Sequence, residues 1–218
     1  MNKTLLLASL FAGYIVLTSL RDQGYFDSFT DPEDQTGSMI DQLPNMEDLA
    51  NMAGDAMTPI DQVTADKNTA AFLATLRAAE GTASDEGYRA LFGWRPGNGK
   101  TFNSFATHPR QFFMYTDLSG NTIRTSAAGA YQITATTFDG LVRNYGFADF
   151  APATQDAMAV ALIKERGALQ DVQAGRFDIA LNKLRKVWAS LPGAGSNQPE
   201  RSLAYVKNVY EQAGGTYA

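Results

Sequence analysis

Residues 4–20 form a run of 17 uncharged side chains bounded by Lys3 and Arg21. As an α-helix the run is about 25 Å long, near the shortest length that spans a bilayer. A polar stretch follows at once, which argues against a helix buried in a globular core. A cleaved signal peptide and an uncleaved signal-anchor are the two readings. The nearest small-x-small cleavage pattern, Leu17-Thr18-Ser19, is a poor one, and the run is longer than a usual signal core. The sequence therefore favours a transmembrane signal-anchor over residues 1–21. With Lys3 on the cytoplasmic side, the rest of the chain lies outside the inner membrane.

The charge then divides the chain again. Residues 21–70 carry eleven acids against two bases, whereas 71–218 carry twelve acids against fifteen bases. An acidic segment without sustained amphipathic period, 22–67, reads as a flexible tether. The mildly basic remainder, 68–218, suits an anionic polymer as readily as it suits an ordinary solvated surface. Cysteine is absent and His108 is the one histidine. That removes a disulfide framework and a zinc site built on several His or Cys ligands. A lone histidine is more often structural than catalytic. No phosphate loop, dinucleotide glycine pattern or His-Glu-x-x-His motif occurs, so no metal and no cofactor is expected.

The pattern over 68–218 predicts a mainly helical α+β domain, with a cleft between two lobes. Phe72, Leu76 and Glu80 are spaced four apart and share a helix face. Asn68 is the expected N-cap and Gly81 the stop. Residues 88–125 are rich in Gly, Asn, Thr and aromatics. Turn signals at 96–99 and 119–121 predict loops and a small antiparallel sheet there. Helices are expected at 134–145, at 153–166 behind Pro152, at 177–189 and at 199–212.

Glu80 is the most informative position. A carboxylate at a helix C-terminus meets the negative end of the helix dipole, and an apolar cleft wall would add desolvation. Both favour the proton, as a general acid for glycosidic cleavage requires. An exposed last-turn glutamate has the same local sequence. A carboxylate pair would need a partner, and Asp85, Glu86 and Asp117 are the nearby acids, each also explicable as a surface loop charge. Ser126 to Gln132 packs small residues, including Gly129, before Tyr131 and Gln132. Tyr131 could stack on a sugar while Gln132 bonds its polar groups, or the segment could be a tight loop with a buried Tyr. Trp188 to Gly195, continuing to Gln198, puts a Trp at a helix end before a Pro-Gly turn.

Several segments in this order resemble the phage lambda lysozyme family of endolysins. They are Arg77-Ala-Ala-Glu-Gly-Thr82, Thr107-His-Pro-Arg110, Ala128-Gly-Ala-Tyr-Gln132, Ile163-Lys-Glu-Arg-Gly-Ala-Leu169, Trp188-Ala-Ser-Leu-Pro-Gly-Ala-Gly195 and Ala213-Gly-Gly-Thr216. The resemblance spans about 68–218. It implies a lysozyme-like fold and a lytic transglycosylase with Glu80 as its catalytic residue. Glu80 would protonate the oxygen between N-acetylmuramic acid and N-acetylglucosamine. It would then take the proton of the muramoyl 6-hydroxyl as a 1,6-anhydro sugar forms. No second carboxylate is needed. The related phage T4-type lysozymes carry an acid nine positions after the glutamate, and here that position is Arg89. By resemblance the glycan-binding residues are Thr82, Ser126, Gly129, Tyr131, Gln132, Trp188, Ser190, Leu191, Pro192 and Gln198. The implied partners are peptidoglycan strands and, through 4–20, a membrane, but no nucleic acid. Three departures stand out: Ser196 in place of the family's aromatic, no match over 83–104, and the N-terminal anchor with its acidic tether.

Overall fold

The computed structural model describes residues 66–218. The expected anchor and the tether up to residue 65 lie outside the described residues. Among the described residues no helix is long and apolar enough to cross a membrane.

Helix α1 (Lys67–Glu80) starts two residues earlier than expected. Asp66, not Asn68, is its N-cap, its Oδ1 accepting Thr69 N at 2.8 Å and Thr69 Oγ1 at 2.9 Å. Asp66 lies three residues before the orphan N–H it satisfies, which is the reach of a capping side chain. Asn68 is used elsewhere. Its amide donates to Gln173 O, and its Oδ1 accepts Thr216 N, stitching the C-terminal segment to the start of the domain. Ala71, Phe72, Leu73, Leu76, Ala78 and Ala79 are all buried, so α1 is wrapped on most sides. Gly81 ends it at φ 78°, with Gly81 N donating to Ala78 O and Thr82 N to Arg77 O. That left-handed stop is the expected one, and it presents Glu80 as the last helical side chain.

Residues 85–125 supply the small β region. A 3₁₀ turn (Asp85–Arg89) precedes it. Strands β1 (Phe113–Thr116) and β2 (Thr122–Thr125) pair antiparallel, with Phe113 opposite Thr125 and Thr116 opposite Thr122. The pleat sends Phe113 and Tyr115 to the more buried face and Met114 to solvent. Isolated bridges Leu91–Ala128 and Ala128–Ile133 carry this region onto the following loop.

Helix α2 (Ala135–Tyr145) is capped by Thr134, and α3 (Pro152–Glu165) opens on its proline, both close to their expected bounds. A short helix α4 (Leu169–Gln173) appears where no pattern predicts one, because five residues are too few to show a period. Helix α5 (Phe177–Leu184) stops five residues short of expectation. The chain turns after Leu184, and the Trp188 indole donates to Tyr131 O at 3.1 Å instead of lying on a helix face. Helix α6 (Leu203–Gln212) begins at Ser202 and not at Pro199. The intervening residues are held extended by bonds from Arg201 N to Ser190 O and from Gly193 N and Gly195 N to Glu200. Helix α1 packs against α3, α4 and α6, and Met158, Ala159, Val160, Ala161 and Ile163 of α3 fill the core beside it.

His108 belongs to this core. Its Nδ1 accepts Arg110 N, so Nε2 carries the proton and donates to Ile133 O at 2.9 Å. It lies between the rings of Phe138 and Phe150, and burial lowers its pKa. It is a neutral structural tie, as a lone histidine suggests.

Candidate functional site

Two cavities meet at Glu80. One, of about 210 Å³, is walled by Tyr131, Gln132, Trp188 and Thr137. The other, of about 420 Å³, is walled by Asp117, Ser190, Glu200 and Arg201. Glu80, Phe92, Tyr115, Ala189 and Gln198 line both, so the two are halves of one cleft. The hairpin forms one side and the 187–201 segment the other. The sides touch where Gln198 Nε2 donates to Tyr115 Oη at 2.8 Å and Leu118 N to Asn197 O at 2.9 Å.

Glu80 keeps an edge open to the cleft while its carboxyl is desolvated. Burial pushes its pKa up to about 7, against the opposing hydrogen bond from Ser190 and the charge of Arg201. Ser190 Oγ donates to Glu80 Oε1 at 2.6 Å. With Oε1 fixed as an acceptor, Oε2 is the oxygen left to carry the proton. The site thus holds a carboxyl that is substantially protonated near neutrality, with a defined proton-bearing oxygen.

The other cleft acids differ. Asp117 lines the larger cavity, but its oxygens accept Ser119 N, Asn121 N and Asn121 Nδ2, and these bonds hold its pKa low. Glu200 accepts Gly195 N at 2.6 Å and Gly193 N at 2.8 Å, with the same effect. Both carboxylates serve as turn clamps. Asp85 and Glu86 are exposed on the 3₁₀ turn and line neither cavity. Arg89 is turned away as well, bonding Phe102 O and Asn103 O and covering the Phe105 ring at 4.0 Å. Among the described residues no cluster of His or carboxylates is arranged to hold a metal ion.

The expected glycan-binding residues fall into two sets. Gln132, Ser190 and Gln198 line the cleft with partly exposed side chains. Tyr131 and Trp188 border it but are 1% and 4% exposed, so the expected sugar stacking by Tyr131 gives way to the buried-Tyr reading. Thr82, Ser126, Gly129, Leu191 and Pro192 line neither cavity and support those that do. Thr82 is buried with its hydroxyl 2.6 Å from Ala130 O, which holds the turn after Glu80 against the 126–132 loop. Ser126 Oγ accepts Ala135 N at the start of α2. Gly129 has φ 77° and sits against Gln155. Leu191 is core, and Pro192 opens the turn that Glu200 clamps. Behind Tyr131, its hydroxyl and that of Tyr88 both donate to Asp156 Oδ1, at 2.7 and 2.8 Å. Gln132 takes φ 49°, a left-handed backbone that few non-glycine residues adopt, and its Nε2 donates back to Gly129 O at 3.0 Å while the residue borders the smaller cavity.

Sequence reasoning misses Phe92, Tyr115, Thr134, Thr137 and Arg201. Phe92 and Tyr115 pack at 4.9 Å between ring centroids, tilted by 36°, forming an aromatic wall beside Glu80. Alternation along 113–116 is the signal that could find Tyr115. No local pattern marks Phe92 or Arg201. Ser196 is exposed, its hydroxyl 3.4 Å from Ala189 O, and it adds no ring to the cleft.

Comparison with known proteins agrees with this geometry. A sequence profile of the Endolysin family matches residues 70–217. The endolysin of Escherichia phage P2 is 35% identical over 158 residues, covering 70% of this chain and 96% of that protein. The endolysin of Escherichia phage lambda is 34% identical over 152 residues, covering 67% and 90%. Among solved structures, bacteriophage lambda lysozyme complexed with a chitohexasaccharide superposes with a TM-score of 0.61 at 33% identity, covering 70% of this chain and 97% of that one. The chain belongs to the endolysin family, and its mainly helical domain with one small antiparallel sheet has the fold of lambda lysozyme.

Proposed function

We propose that this domain cuts peptidoglycan glycan strands as a lytic transglycosylase, at the bond joining N-acetylmuramic acid to N-acetylglucosamine. The observation that carries the reading is the cleft's set of acids. Glu80 holds a proton near neutrality, and the other two carboxylates are occupied by backbone N–H donors. Hydrolysis by a carboxylate pair needs a second carboxylate placed across the bond, and Asp117 and Glu200 are instead tied into their own turns. Internal attack by a substrate hydroxyl needs no second carboxylate. The related fold solved with a six-sugar chitin oligomer supports a glycan in this cleft.

The steps follow from that geometry. Glu80 Oε2 gives its proton to the glycosidic oxygen as the bond to the anomeric carbon breaks. The carboxylate so formed, held by Ser190, takes the proton of the muramoyl 6-hydroxyl while that oxygen bonds to the anomeric carbon. The products are a free 4-hydroxyl and a 1,6-anhydromuramoyl end, and Glu80 is protonated again. No water is consumed. The Phe92–Tyr115 wall, Gln132 and Gln198 would position the sugars, with the buried Tyr131 and Trp188 bracing them from behind. In this reading residues 1–21 anchor the enzyme in the inner membrane or a virion membrane, and 22–67 let the domain reach the wall during lysis or entry. Mass spectrometry of digested sacculi tests the reaction. Anhydromuramic ends are expected, and reducing muramic ends would assign a hydrolytic muramidase instead.

The pH profile carries a second test. The free enzyme must hold the proton, so kcat/KM falls as pH rises through about 7, the Glu80 value. Ser190→Ala removes the donor that favours the ionised form. The alkaline limb should move to higher pH, while the plateau rate drops roughly ten-fold for loss of a bond to a charged group. A limb that stays in place would contradict the assigned role of Ser190.

A further inference from the structure

The larger cavity holds a cation that the steps above do not use. Arg201 lies in the extended segment before α6 and lines that cavity with Glu80 and Ser190. It is fixed at two points. Its main-chain N donates to Ser190 O at 2.8 Å, and its Nε donates to Ala79 O at 3.1 Å. The guanidinium passes over Gly81, where Nη2 stands 3.5 Å from the place a Cβ would occupy. Tyr205 packs against it at 5.5 Å from the ring centroid. Among the described residues neither Nη has a hydrogen-bond acceptor and no carboxylate lies within ion-pair distance. Of the three acids that line the cavity, Asp117 and Glu200 are clamped on N–H groups of their own turns, and Glu80 meets Arg201 through its charge alone. A guanidinium fixed by Nε with two free Nη groups presents the fork that matches a carboxylate.

We infer that Arg201 binds a carboxylate of the substrate, so that the cleft favours muramoyl-bearing glycan over a neutral chain of the same length. The inference rests on the glycan reading above. A peptidoglycan strand offers carboxylates on the lactyl group of each muramoyl unit once the peptide is removed, or on the peptide stem attached there. A chitin chain offers none. The charge of Arg201 would then serve selection and register along the cleft, beside the acid that reacts.

The test uses the Glu80→Gln protein, which can be titrated without turnover. Calorimetry compares three six-sugar ligands at low salt: chitohexaose, stem-free muramoyl glycan, and muramoyl glycan bearing peptide stems. At least one anionic glycan should bind about ten-fold tighter than chitohexaose, in line with hydrogen bonds to a charged partner. The glycan that shows the advantage identifies the lactyl or the stem carboxylate as its source. Arg201→Gln in the same background should erase the advantage, and Arg201→Lys should keep only part of it. If Arg201→Gln does not fold, a lowered ratio in Arg201→Lys stands in for it. Equal affinity for all three ligands with Arg201 present overturns the inference, as does an advantage that survives Arg201→Gln. In either case chitohexaose binding leaves the glycan reading in place. If none of the three binds, the glycan reading falls first and the inference with it.

Discussion

Glu80→Gln should reduce peptidoglycan cleavage by about three orders of magnitude, the range for loss of a general acid, while making the fold more stable above neutral pH. Both effects come from one property. The carboxyl is desolvated, so the folded state holds its proton up to about pH 7 against an ordinary value of 4.5. The unfolded chain ionises freely. Below about pH 4.5 both states carry the proton and the group contributes nothing. As pH rises through 4.5 towards 7, the unfolded state gains the freedom to ionise and the fold loses stability. Above 7 the loss is complete, at up to about 3 kcal/mol from 1.36 kcal/mol per unit. Glutamine carries no charge to desolvate. Denaturant midpoints should therefore favour the variant at pH 8 and coincide with the native protein at pH 4. Equal clearing of sacculi by both proteins would overturn the catalytic role. A variant less stable at both pH values would show that Glu80 is a packing residue.

Gly129→Ala should destabilise the domain by roughly 3–5 kcal/mol. Gly129 has φ 77°, so any Cβ costs about 1 kcal/mol there from the left-handed backbone alone. The larger share comes from where that Cβ would go, well inside van der Waals contact distance of Gln155 Oε1 and 3.0 Å from Phe150. Gln155 is fully buried. Its oxygen accepts Ala130 N, and its amide donates to Tyr88 O and Phe150 O. Displacing it leaves buried polar groups unpaired, at about 1–3 kcal/mol each. Gly97 offers the control. It has φ 81° with nothing within 4 Å of a Cβ, so Gly97→Ala should lose only the backbone share. Comparable losses at the two positions would refute the Gln155 argument. Because Gly129 leads directly into Tyr131 and Gln132, the glycan wall should loosen along with the fold.

Gln155 also shows what the sequence left hidden. It sits in α3, where the apolar pattern and Pro152 predict the helix well, yet nothing local says that one glutamine braces the cleft loop. The same contrast runs through the site. The spacing of Phe72, Leu76 and Glu80, with Gly81 behind, places Glu80 at the end of a buried helix. Of the ten glycan-binding residues that the resemblance implies, Tyr131, Gln132, Trp188, Ser190 and Gln198 border the cleft, whereas Thr82, Ser126, Gly129, Leu191 and Pro192 do not. What periodicity cannot supply is contact across long sequence separation. Ser190 reaches Glu80 over 110 residues, and so appeared as a sugar contact when it is first a partner of the acid. Phe92 and Tyr115 enter through the hairpin's placement, and Arg201 through an extended segment that its pattern assigns to a helix. The helix ends go astray for the same reason. Trp188 leaves α5 for a bond to Tyr131 O, and Asn68 gives up the cap to hold Thr216.

Digestion of purified sacculi in heavy-oxygen water tests the central claim most directly. If Glu80 acts alone, first as acid and then as base, the new muramoyl ends are 1,6-anhydro and carry no label from solvent. Reducing muramoyl ends labelled at the anomeric oxygen would show that water is the nucleophile, and would contradict the lone-carboxyl mechanism.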